Sequence, residues 1–257
     1  MPEGPEIRVL ADKIRNKLLG QTILAIDDVS GKCRCDIQSN SVITAVKSYG
    51  KKLIWELSTG GNLVFSFGLT GTILYNKGEY TKVTFVLNDF DIYYDDKLSF
   101  GNVVYYSNDN EIYSKLGPDI TALSVGEWLT EQEWKAIFRT NKGKGKKIYD
   151  VLLEQDRIAG IGWYLMNDIL YYAGIKPTRI MKDITDEELE YLRVCVFTIV
   201  RVSYLSGGRD TEEYPDGTRG GYSTAVYEKD IDKYGHKILN EKMTNGRTIY
   251  WVPEAQF

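Results

Sequence analysis

The stretch LLEQDRIAGIG occupies residues 152–162 and is followed by ILYYAGIKP at residues 169–177. The apolar spacing predicts one helix from Ile148 to about Leu153 and another from about Gly162 to Ala173, with glycines in the connection. On these residues alone, the segment is a pair of helices joined by a glycine turn, which is common in helical bundles. The residues that flank the segment decide which fold contains it.

Further helical patterns lie on both sides of this pair. Residues Thr130 to Thr140 open with Thr-Glu-Gln-Glu, the spacing of a capping box. A long helix from Asp186 to Tyr204 follows a start signal at Thr185. Residues 226–257 then resemble a β-hairpin that turns at Asn245-Gly246, a pair favoured in tight turns.

The first part of the chain has a different pattern. Apolar residues at helical spacing run from Ile7 to Leu19, and Gly20 ends the predicted helix. Short β-rich runs separated by turn residues follow, which indicates an antiparallel sandwich or barrel and an α+β fold class. The runs are Val42 to Val46, Leu53 to Leu57, Leu63 to Phe67, Thr81 to Leu87, Asp91 to Tyr94 and Val103 to Tyr106.

Composition limits the classes of protein to which the chain can belong. Its 257 residues are enough to form a core without metal or disulfide. A formal charge of −4 and a pI near 5.3 argue against a protein that coats nucleic acid by bulk electrostatics. The basic tract NKGKGKK at residues 141–147 is a solvated linker by default, although it also permits a local basic face.

The cysteines and the apolar runs indicate a cellular compartment. Cys33, Cys35 and Cys195 lack CxxC spacing, and the N-terminus lacks the pattern of a secretory signal. No apolar run is long enough to span a membrane. We therefore expect a soluble intracellular protein of a reducing compartment, without a disulfide.

The N-terminus, MPEGPEI, allows two interpretations. Proline is favoured in the first turn of a helix, so Pro2 and Pro5 fit a simple helix cap. Alternatively, removal of Met1 would leave Pro2 with a free secondary amine beside the carboxylate of Glu3. The residues of this segment alone favour the cap.

Six short motifs, in order along nearly the whole chain, change that balance. They are MPEGPE, Gly50-Lys51, GLTG at residues 68–71, Phe100-Gly101, the paired helices of residues 152–177, and Gly246-Arg247-Thr248. Together they resemble the formamidopyrimidine-DNA glycosylase and endonuclease VIII family. The resemblance implies a β-sandwich domain with an N-terminal helix at residues 1–120, a helix-two-turns-helix DNA-binding domain at residues 121–225, and a finger hairpin at residues 226–257.

The resemblance also implies a bifunctional DNA glycosylase and abasic-site lyase of base excision repair. Pro2 would attack the damaged nucleotide and form a Schiff base, as amine nucleophiles do. Glu3 would move protons during base loss and elimination. Lys51 would contact the phosphate and sugar at the lesion, although the adjacent Lys52 leaves the assignment ambiguous by one residue.

Further residues are implied to contact DNA. The backbone amides of Gly160 to Gly162 would hold a phosphate at a helix N-terminus, and Arg247 would bind phosphates that flank the flipped nucleotide. The apolar side chains of Leu69, Leu98 and Phe100 would fill the space left by that nucleotide. These assignments are expectations from the alignment of motifs.

Two departures from the family pattern stand out. Trp163 replaces the asparagine that usually follows Gly-Ile-Gly and contacts a phosphate. Four zinc-binding cysteines are replaced by Ile231, Tyr234, Val252 and Ala255. We therefore expect a zincless finger, no metal site and no cofactor.

The lesion and the partners are less determined by the sequence. The zincless finger and an apolar Leu98 favour the endonuclease VIII branch and oxidised pyrimidines, with ring-opened purines and hydantoins left open. The glycine-rich residues 207–222 lie where the family reads the flipped base, although such a stretch is by default a disordered loop. We expect a monomer that binds damaged double- and single-stranded DNA in the nucleus or at a repair site if eukaryotic or viral, and otherwise in the cytoplasm. The alternative is a non-catalytic protein that binds damaged DNA.

Overall fold

A computed structural model describes residues 2–35, 37, 40–121, 124–243 and 246–257. Its first helix, α1, spans Gly4–Leu18, and it begins three residues earlier than the apolar spacing indicates. Pro5 lies in its first turn and Glu3 is its N-cap residue, in a capping box with Glu6. The N-terminus therefore caps helix α1, as one of the two interpretations expected. The other interpretation, in which Pro2 is a free amine beside Glu3, is compatible with the same cap.

A β-sandwich follows α1, which confirms the predicted α+β class. Its strands pair in the order β2-β9-β5-β4-β3-β1-β7-β8-β6, and the two layers are joined where β1 pairs with β3. Every neighbouring pair is antiparallel except β2 with β9. The strands are β1 Thr22–Asp28, β2 Cys33–Arg34, β3 Ser41–Tyr49, β4 Lys52–Leu57, β5 Asn62–Ser66, β6 Gly71–Leu74, β7 Thr81–Leu87, β8 Asp91–Asp96 and β9 Asn102–Tyr106.

The core of the sandwich lies between its two layers and one face of α1. Ile7 and Ile14 of the helix pack in one cluster with Trp55, Phe65 and Phe85 of the strands, and all five side chains are at most 1% exposed. Burial of such large aromatic and branched side chains stabilises the fold by roughly 1.5–3 kcal/mol each. This packing fixes the N-terminus of α1 relative to the strands.

The structure contains one disulfide among the described residues, which corrects the sequence-based expectation. Cys33 and Cys35 are bonded, with Cα atoms 5.3 Å apart. The expectation considered CxxC spacing alone, whereas residues separated by two positions in an extended segment can also meet the required Cα distance. Cys195 is free and buried.

The helical part has a separate core. The helices that follow the sandwich strands are α2 Asp109–Tyr113, α3 Glu131–Phe138, α4 Ile148–Leu152, α5 Trp163–Tyr172 and α6 Asp186–Leu205. The predicted capping box at Thr130 is present, and it precedes α3. Leu165 and Ile169 of α5 pack in one cluster with Leu192 and Val196 of α6. None of the helices in the described ranges is long and apolar enough to cross a membrane.

The C-terminal hairpin consists of β10, Leu239–Lys242, and β11, Thr248–Trp251. The predicted Asn245-Gly246 turn is only partly observed, because Asn245 lies outside the described residues, while Gly246 has a φ of +81°. Ile249 is fully buried in the helical core. The hairpin therefore packs against the helices, since an isolated two-stranded hairpin is only marginally stable.

Candidate active site

Glu3 lies where the N-terminus of α1 meets the N-terminus of α5. Its side chain is buried, at 1% exposure. Its carboxylate oxygens accept backbone hydrogen bonds from Gly162 at 2.7 Å and from Tyr164 at 3.0 Å, with a longer one from Leu165 at 3.4 Å. The carboxylate therefore satisfies amides that the first turn of α5 leaves without a helical partner.

Glycine at position 162 makes this approach possible. A Cβ atom at Gly162 would lie 2.2 Å from Cδ of Glu3, so a larger residue would occupy the space of the carboxyl group. The amide of Gly4 donates a hydrogen bond to the carbonyl oxygen of Gly160 at 2.9 Å. Gly160 has a φ of +119°, which favours glycine. These contacts explain the glycines of the 152–162 stretch.

The two amides expected to hold a phosphate, those of Gly160 and Gly162, each have an acceptor within the protein. The Gly160 amide donates to Oε1 of Gln155 at 3.1 Å, and the Gly162 amide donates to Glu3. Amides at a helix N-terminus attract any carboxylate or phosphate, and here the protein supplies its own carboxylate. The glycines thus position the candidate catalytic carboxyl group, and phosphate binding at this segment stays a prediction.

The surroundings of Glu3 change its protonation. Burial raises the pKa of Glu3 from 4.5 to about 7, and the charge of Glu6 adds to this increase. The positive charge of Lys51 and the amides of Tyr164 and Gly162 act in the opposite direction. A carboxyl group with a pKa near neutrality is suited to both accept and release a proton at physiological pH.

Glu6 is a residue of the site that sequence reasoning missed. Its Oε2 accepts from the Glu3 amide at 2.9 Å, while its Oε1 accepts from the Tyr164 hydroxyl at 2.6 Å and from the Arg209 amide at 2.9 Å. One buried carboxyl group thus joins α1, α5 and the loop after α6. The only signal in the sequence was its position three residues after Glu3, which is the spacing of a capping box.

The structure distinguishes Lys51 from Lys52. Gly50 and Lys51 form the turn between β3 and β4, where Tyr49 pairs with Lys52. Burial lowers the pKa of Lys51 and the charge of Glu3 raises it, so Lys51 lies within electrostatic reach of the carboxyl group. Lys52 instead donates to Oγ of Ser66 at 2.5 Å and lines a different cavity. Of the two lysines, Lys51 is the one near Glu3.

Pro2 is half-buried and lines a cavity of about 470 Å³. The lining also includes residues 69–72 and 74–78, and residues 212–215 and 217 of the glycine-rich stretch. The ring of Tyr214 packs in the sandwich core, and its hydroxyl donates to the carbonyl oxygen of Gly207 at 2.8 Å. Tyr214 therefore anchors the glycine-rich stretch to the sandwich core. Met1 lies outside the described residues.

The three side chains expected to fill the space left by the flipped nucleotide are all exposed. They are Leu69, Leu98 and Phe100, and Phe100 is the most exposed at 65%. Their two loops are tied together by the hydroxyl of Thr70, which donates to Oδ1 of the buried Asp96 at 2.5 Å and accepts from the Leu98 amide at 2.9 Å. The structure thus places three apolar side chains on adjacent, internally braced loops. Their insertion into DNA stays a prediction.

Arg247 lies over the ring of Trp163, with 5.4 Å between its Cζ atom and the ring centroid. The same turn of α5 carries Asn167, whose Oδ1 accepts from the Tyr250 amide at 2.6 Å and whose amide group donates to the Trp163 carbonyl oxygen at 2.6 Å. Asn167 therefore joins the hairpin to α5. Arg247 also lowers the pKa of Lys51, after the larger effects of burial and Glu3, so both cations lie in one neighbourhood.

The positions expected to replace zinc ligands offer no thiolate or imidazole; they are Ile231, Tyr234, Val252 and Ala255. Asp232 organises this loop instead. Its carboxylate accepts from the backbone amides of Tyr234 at 2.9 Å and His236 at 2.8 Å, and from the hydroxyl of Tyr171 at 2.9 Å. Within the described ranges, no group of three or more potential metal ligands is found. A zinc ion does not fit this donor set, and the absence of zinc from the protein stays a prediction.

The arrangement can support attack by an amine. Pro2 would supply the nitrogen, and the adjacent Glu3 can hold a proton near neutral pH. Lys51 and Arg247 place positive charge on the same side of the site, as binding of a phosphate requires. The cavity beside Pro2 offers space for the group that is displaced.

Comparison with known proteins agrees with the fold and the arrangement of this site. Residues 1–103 match the family model of the formamidopyrimidine-DNA glycosylase N-terminal domain. The formamidopyrimidine-DNA glycosylase of Wolbachia sp. subsp. Brugia malayi is 24% identical, and endonuclease 8 of Salmonella agona is 26% identical. Both alignments cover 100% of this chain and 100% of the relative.

Solved structures have the same fold along the whole chain. The crystal structure of the MutM (Fpg) protein from Thermus thermophilus is similar with a TM-score of 0.90 and 25% identity, over 99% of this chain and 98% of that chain. A Lactococcus lactis Fpg in complex with DNA that contains an abasic site has a TM-score of 0.84 at 21% identity, over 99% of each chain. The second likeness concerns the fold alone.

Proposed function

Because the chain belongs to the formamidopyrimidine-DNA glycosylase and endonuclease VIII family, whose members are DNA glycosylases of base excision repair, we propose that it removes oxidised bases through Pro2 and then cleaves the strand. The proposed nucleophile is the secondary amine that Pro2 presents once Met1 is removed. A terminal amine titrates near 8 in model peptides, so a useful fraction is neutral at physiological pH. A lysine side chain, at about 10.4, would need a much larger shift.

In the first step, the nitrogen lone pair of Pro2 forms a bond to C1′ of the damaged nucleotide. The bond from C1′ to the base breaks, and its electron pair leaves with the base, which takes up a proton. Glu3 is the proposed source of that proton, because its pKa of about 7 leaves a large part of it protonated near neutral pH. The nitrogen then gives up its N–H proton, and its freed electron pair forms the C1′=N bond. The bond from C1′ to O4′ breaks, O4′ takes up a proton, and the opened sugar carries an iminium ion on Pro2.

In the second step, the iminium ion accepts electrons from the C2′–H bond. The C2′ proton passes to a base, the bond between C3′ and its oxygen breaks, and the 3′ phosphate leaves with that electron pair. Hydrolysis of the remaining iminium ion returns the free amine of Pro2. Lys51 and Arg247 are proposed to bind the phosphates on either side of the reacting nucleotide, where their charge also favours departure of the phosphate.

The proposed substrates are oxidised pyrimidines in duplex or single-stranded DNA. Leu98, rather than a cation, occupies the exposed loop beside Phe100, and an apolar side chain there makes no charge-assisted contact with an orphan base. The cavity of about 470 Å³ beside Pro2 would also accept ring-opened purines and hydantoins. We further propose that the protein acts as a monomer and without a metal or other cofactor.

The observation that carries this proposal is the buried carboxyl group of Glu3, the residue directly after Pro2. The backbone amides of the first turn of α5 hold this group in place. Borohydride trapping on duplexes with an oxidised pyrimidine tests it, since reduction of the iminium ion leaves a covalent protein–DNA adduct. We expect an adduct with the processed protein and none with a form that retains Met1. DNA binding without any adduct would instead support the alternative of a non-catalytic damage-binding protein.

A further inference from the structure

We propose that Trp163 is a positioning residue that holds the guanidinium group of Arg247 in place for a backbone phosphate of DNA. This inference rests on the proposed function, because it concerns how the same site binds a DNA strand. It assigns a task to the residue that departs from the family pattern.

The first argument is the geometry of the pair. The Cζ atom of Arg247 is 5.4 Å from the centroid of the Trp163 ring, within the distance of about 6 Å at which a cation is attracted to an aromatic face. The Arg247 side chain is exposed, whereas Trp163 is only 7% exposed. The ring therefore presents its face to the guanidinium group and has little surface left for a base.

The second argument is the rigidity of the ring. Trp163 packs in the helical core and meets Tyr149 edge-on, with ring centroids 6.1 Å apart and planes at 73°. Tyr149 is itself only 5% exposed. A side chain held in this way keeps one orientation, and an arginine that rests on it loses less conformational freedom when it binds a phosphate.

The third argument is the way the hairpin is fastened. Arg247 immediately precedes β11, and the Tyr250 amide in that strand donates to Oδ1 of Asn167. Asn167 also donates to the carbonyl oxygen of Trp163. The backbone next to Arg247 and the ring beneath its side chain are thus fixed to the same turn of α5.

The fourth argument is charge. Arg247 and Lys51 are close enough for their positive charges to interact. The repulsion between these two cations favours binding of an anion near both, and a DNA phosphate has the right charge and shape for a guanidinium group. An arginine that is fixed beside a second cation is therefore suited to bind a phosphate of the strand that contains the lesion.

A double-mutant cycle tests the proposal. Affinity is measured by fluorescence anisotropy, over a series of salt concentrations, on a duplex that carries a tetrahydrofuran analogue of an abasic site. The variants are Trp163→Leu, Arg247→Ala and the double variant, with Trp163→Phe as the conservative change. Trp128→Leu is a matched control, because Trp128 also stacks on an aromatic ring of the helical part, that of Phe197, without an arginine over it among the described residues.

We expect Trp163→Leu to weaken binding by roughly three- to tenfold when Arg247 is present, which corresponds to the usual strength of a cation–aromatic contact. In the Arg247→Ala background, the same change should have almost no effect. Both single changes should lower the slope of log affinity against log salt by up to about one. Trp163→Phe should keep most of the affinity, and Trp128→Leu should lower the melting temperature without a loss of affinity.

Equal losses from Trp163→Leu in both backgrounds would overturn the proposal, because the tryptophan would then act through folding alone. An unchanged salt slope in Trp163→Leu would overturn it as well. Failure of the proposed function would look different: the wild-type protein would bind the duplex and show the coupling but form no adduct with borohydride on a lesion-containing duplex.

Discussion

The carboxylate of Glu3 accepts a hydrogen bond from the amide of Gly162 at 2.7 Å, although the two residues are 159 positions apart along the chain. This contact joins the residue after the proposed nucleophile to the first turn of α5. It also explains why two separate sequence motifs, MPEGPEI and LLEQDRIAGIG, belong to one site. Several expectations depend directly on it.

Gly162→Ala should impair catalysis more than folding. The new Cβ atom would lie 2.2 Å from Cδ of Glu3, so the carboxyl group must move. We expect a loss of base excision of about 10²-fold, as a displacement of about 1 Å in a catalytic group produces, and a destabilisation of about 1–3 kcal/mol from the overlap.

Gly145→Ala is the matched control for this change, because an added Cβ atom there meets no atom within 4 Å. Its stability should remain within about 0.5 kcal/mol of wild type. Single-turnover excision assays and urea denaturation measure both quantities. Full excision activity in Gly162→Ala would show that the position of the Glu3 carboxyl group is not critical.

Glu3→Gln should separate the two chemical steps. Base removal requires a proton for the leaving base, whereas cleavage at a pre-formed abasic site does not. We expect a loss of about 10²- to 10⁴-fold in excision, the usual contribution of general acid–base catalysis, with a much smaller loss in cleavage of abasic DNA. Parallel assays on the two duplexes measure the difference, and equal losses would reject this division of roles.

The same variant should change how stability depends on pH. The pKa of Glu3 is about 7 in the folded protein and 4.5 ordinarily, so the folded state binds this proton more tightly than the unfolded state. Its contribution is fully present below pH 4.5 and is lost as the pH rises to about 7, for a total of about 3 kcal/mol. The free energy of unfolding of wild type, minus that of Glu3→Gln, should therefore fall between these pH values.

Urea denaturation of both proteins at several pH values tests this expectation. The comparison removes the contributions of other buried acids, such as Asp119 and Asp168, whose pKa values are also raised by burial. A difference that stays constant with pH would mean that Glu3 has no raised pKa in the folded protein.

Elements with a strong repeating pattern were predictable from the sequence, and short or irregular ones were not. The apolar spacing predicted α6 almost to its ends, because one face of that helix is buried along its length. Strand β1 was missed, since its buried and exposed residues do not alternate. Helix α2 was also missed, because it buries a single residue, Ile112, and so shows no apolar spacing.

The residues of the candidate site were predictable only where a motif carried them. Pro2, Glu3, Lys51 and Arg247 came from short motifs that resemble a family. The role of Glu6 depends on contacts with Tyr164 and Arg209 that no local pattern records. The acceptors of the Gly160 and Gly162 amides, Gln155 and Glu3, were likewise not predictable from the motifs, and phosphate binding at these amides stays a prediction.

Lys51→Met and Lys52→Met form a matched pair with different expected results. Lys51 is near Glu3 and Arg247, so its loss should lower borohydride trapping and cleavage by at least about tenfold. Lys52 donates to Ser66 in another cavity, so its loss should leave trapping within about twofold and change only stability, by about 1 kcal/mol. Trapping yields at limiting DNA measure the contrast, and the reverse order would assign the site to Lys52.

Removal of metal should leave the protein unchanged, because Asp232 rather than zinc organises the loop before the hairpin. Zinc contributes folding energy only through a closed set of deprotonated thiolates or neutral imidazoles, and residues 226–257 contain no cysteine. The amides of Tyr234 and His236 share the Asp232 carboxylate with the Tyr171 hydroxyl of α5, so this loop is anchored to the helical part. We therefore expect a strong chelator to alter neither the melting temperature nor DNA cleavage. Asp232→Ala should lower the melting temperature, because it leaves the buried Tyr171 hydroxyl and two loop amides without their acceptor. Asp230→Ala, two residues away, is the control and should have an effect of less than about 0.5 kcal/mol.

Elemental analysis that finds one zinc per chain, or a chelator that abolishes cleavage, would contradict the zincless assignment. An inert Asp232→Ala would show that another contact holds the loop.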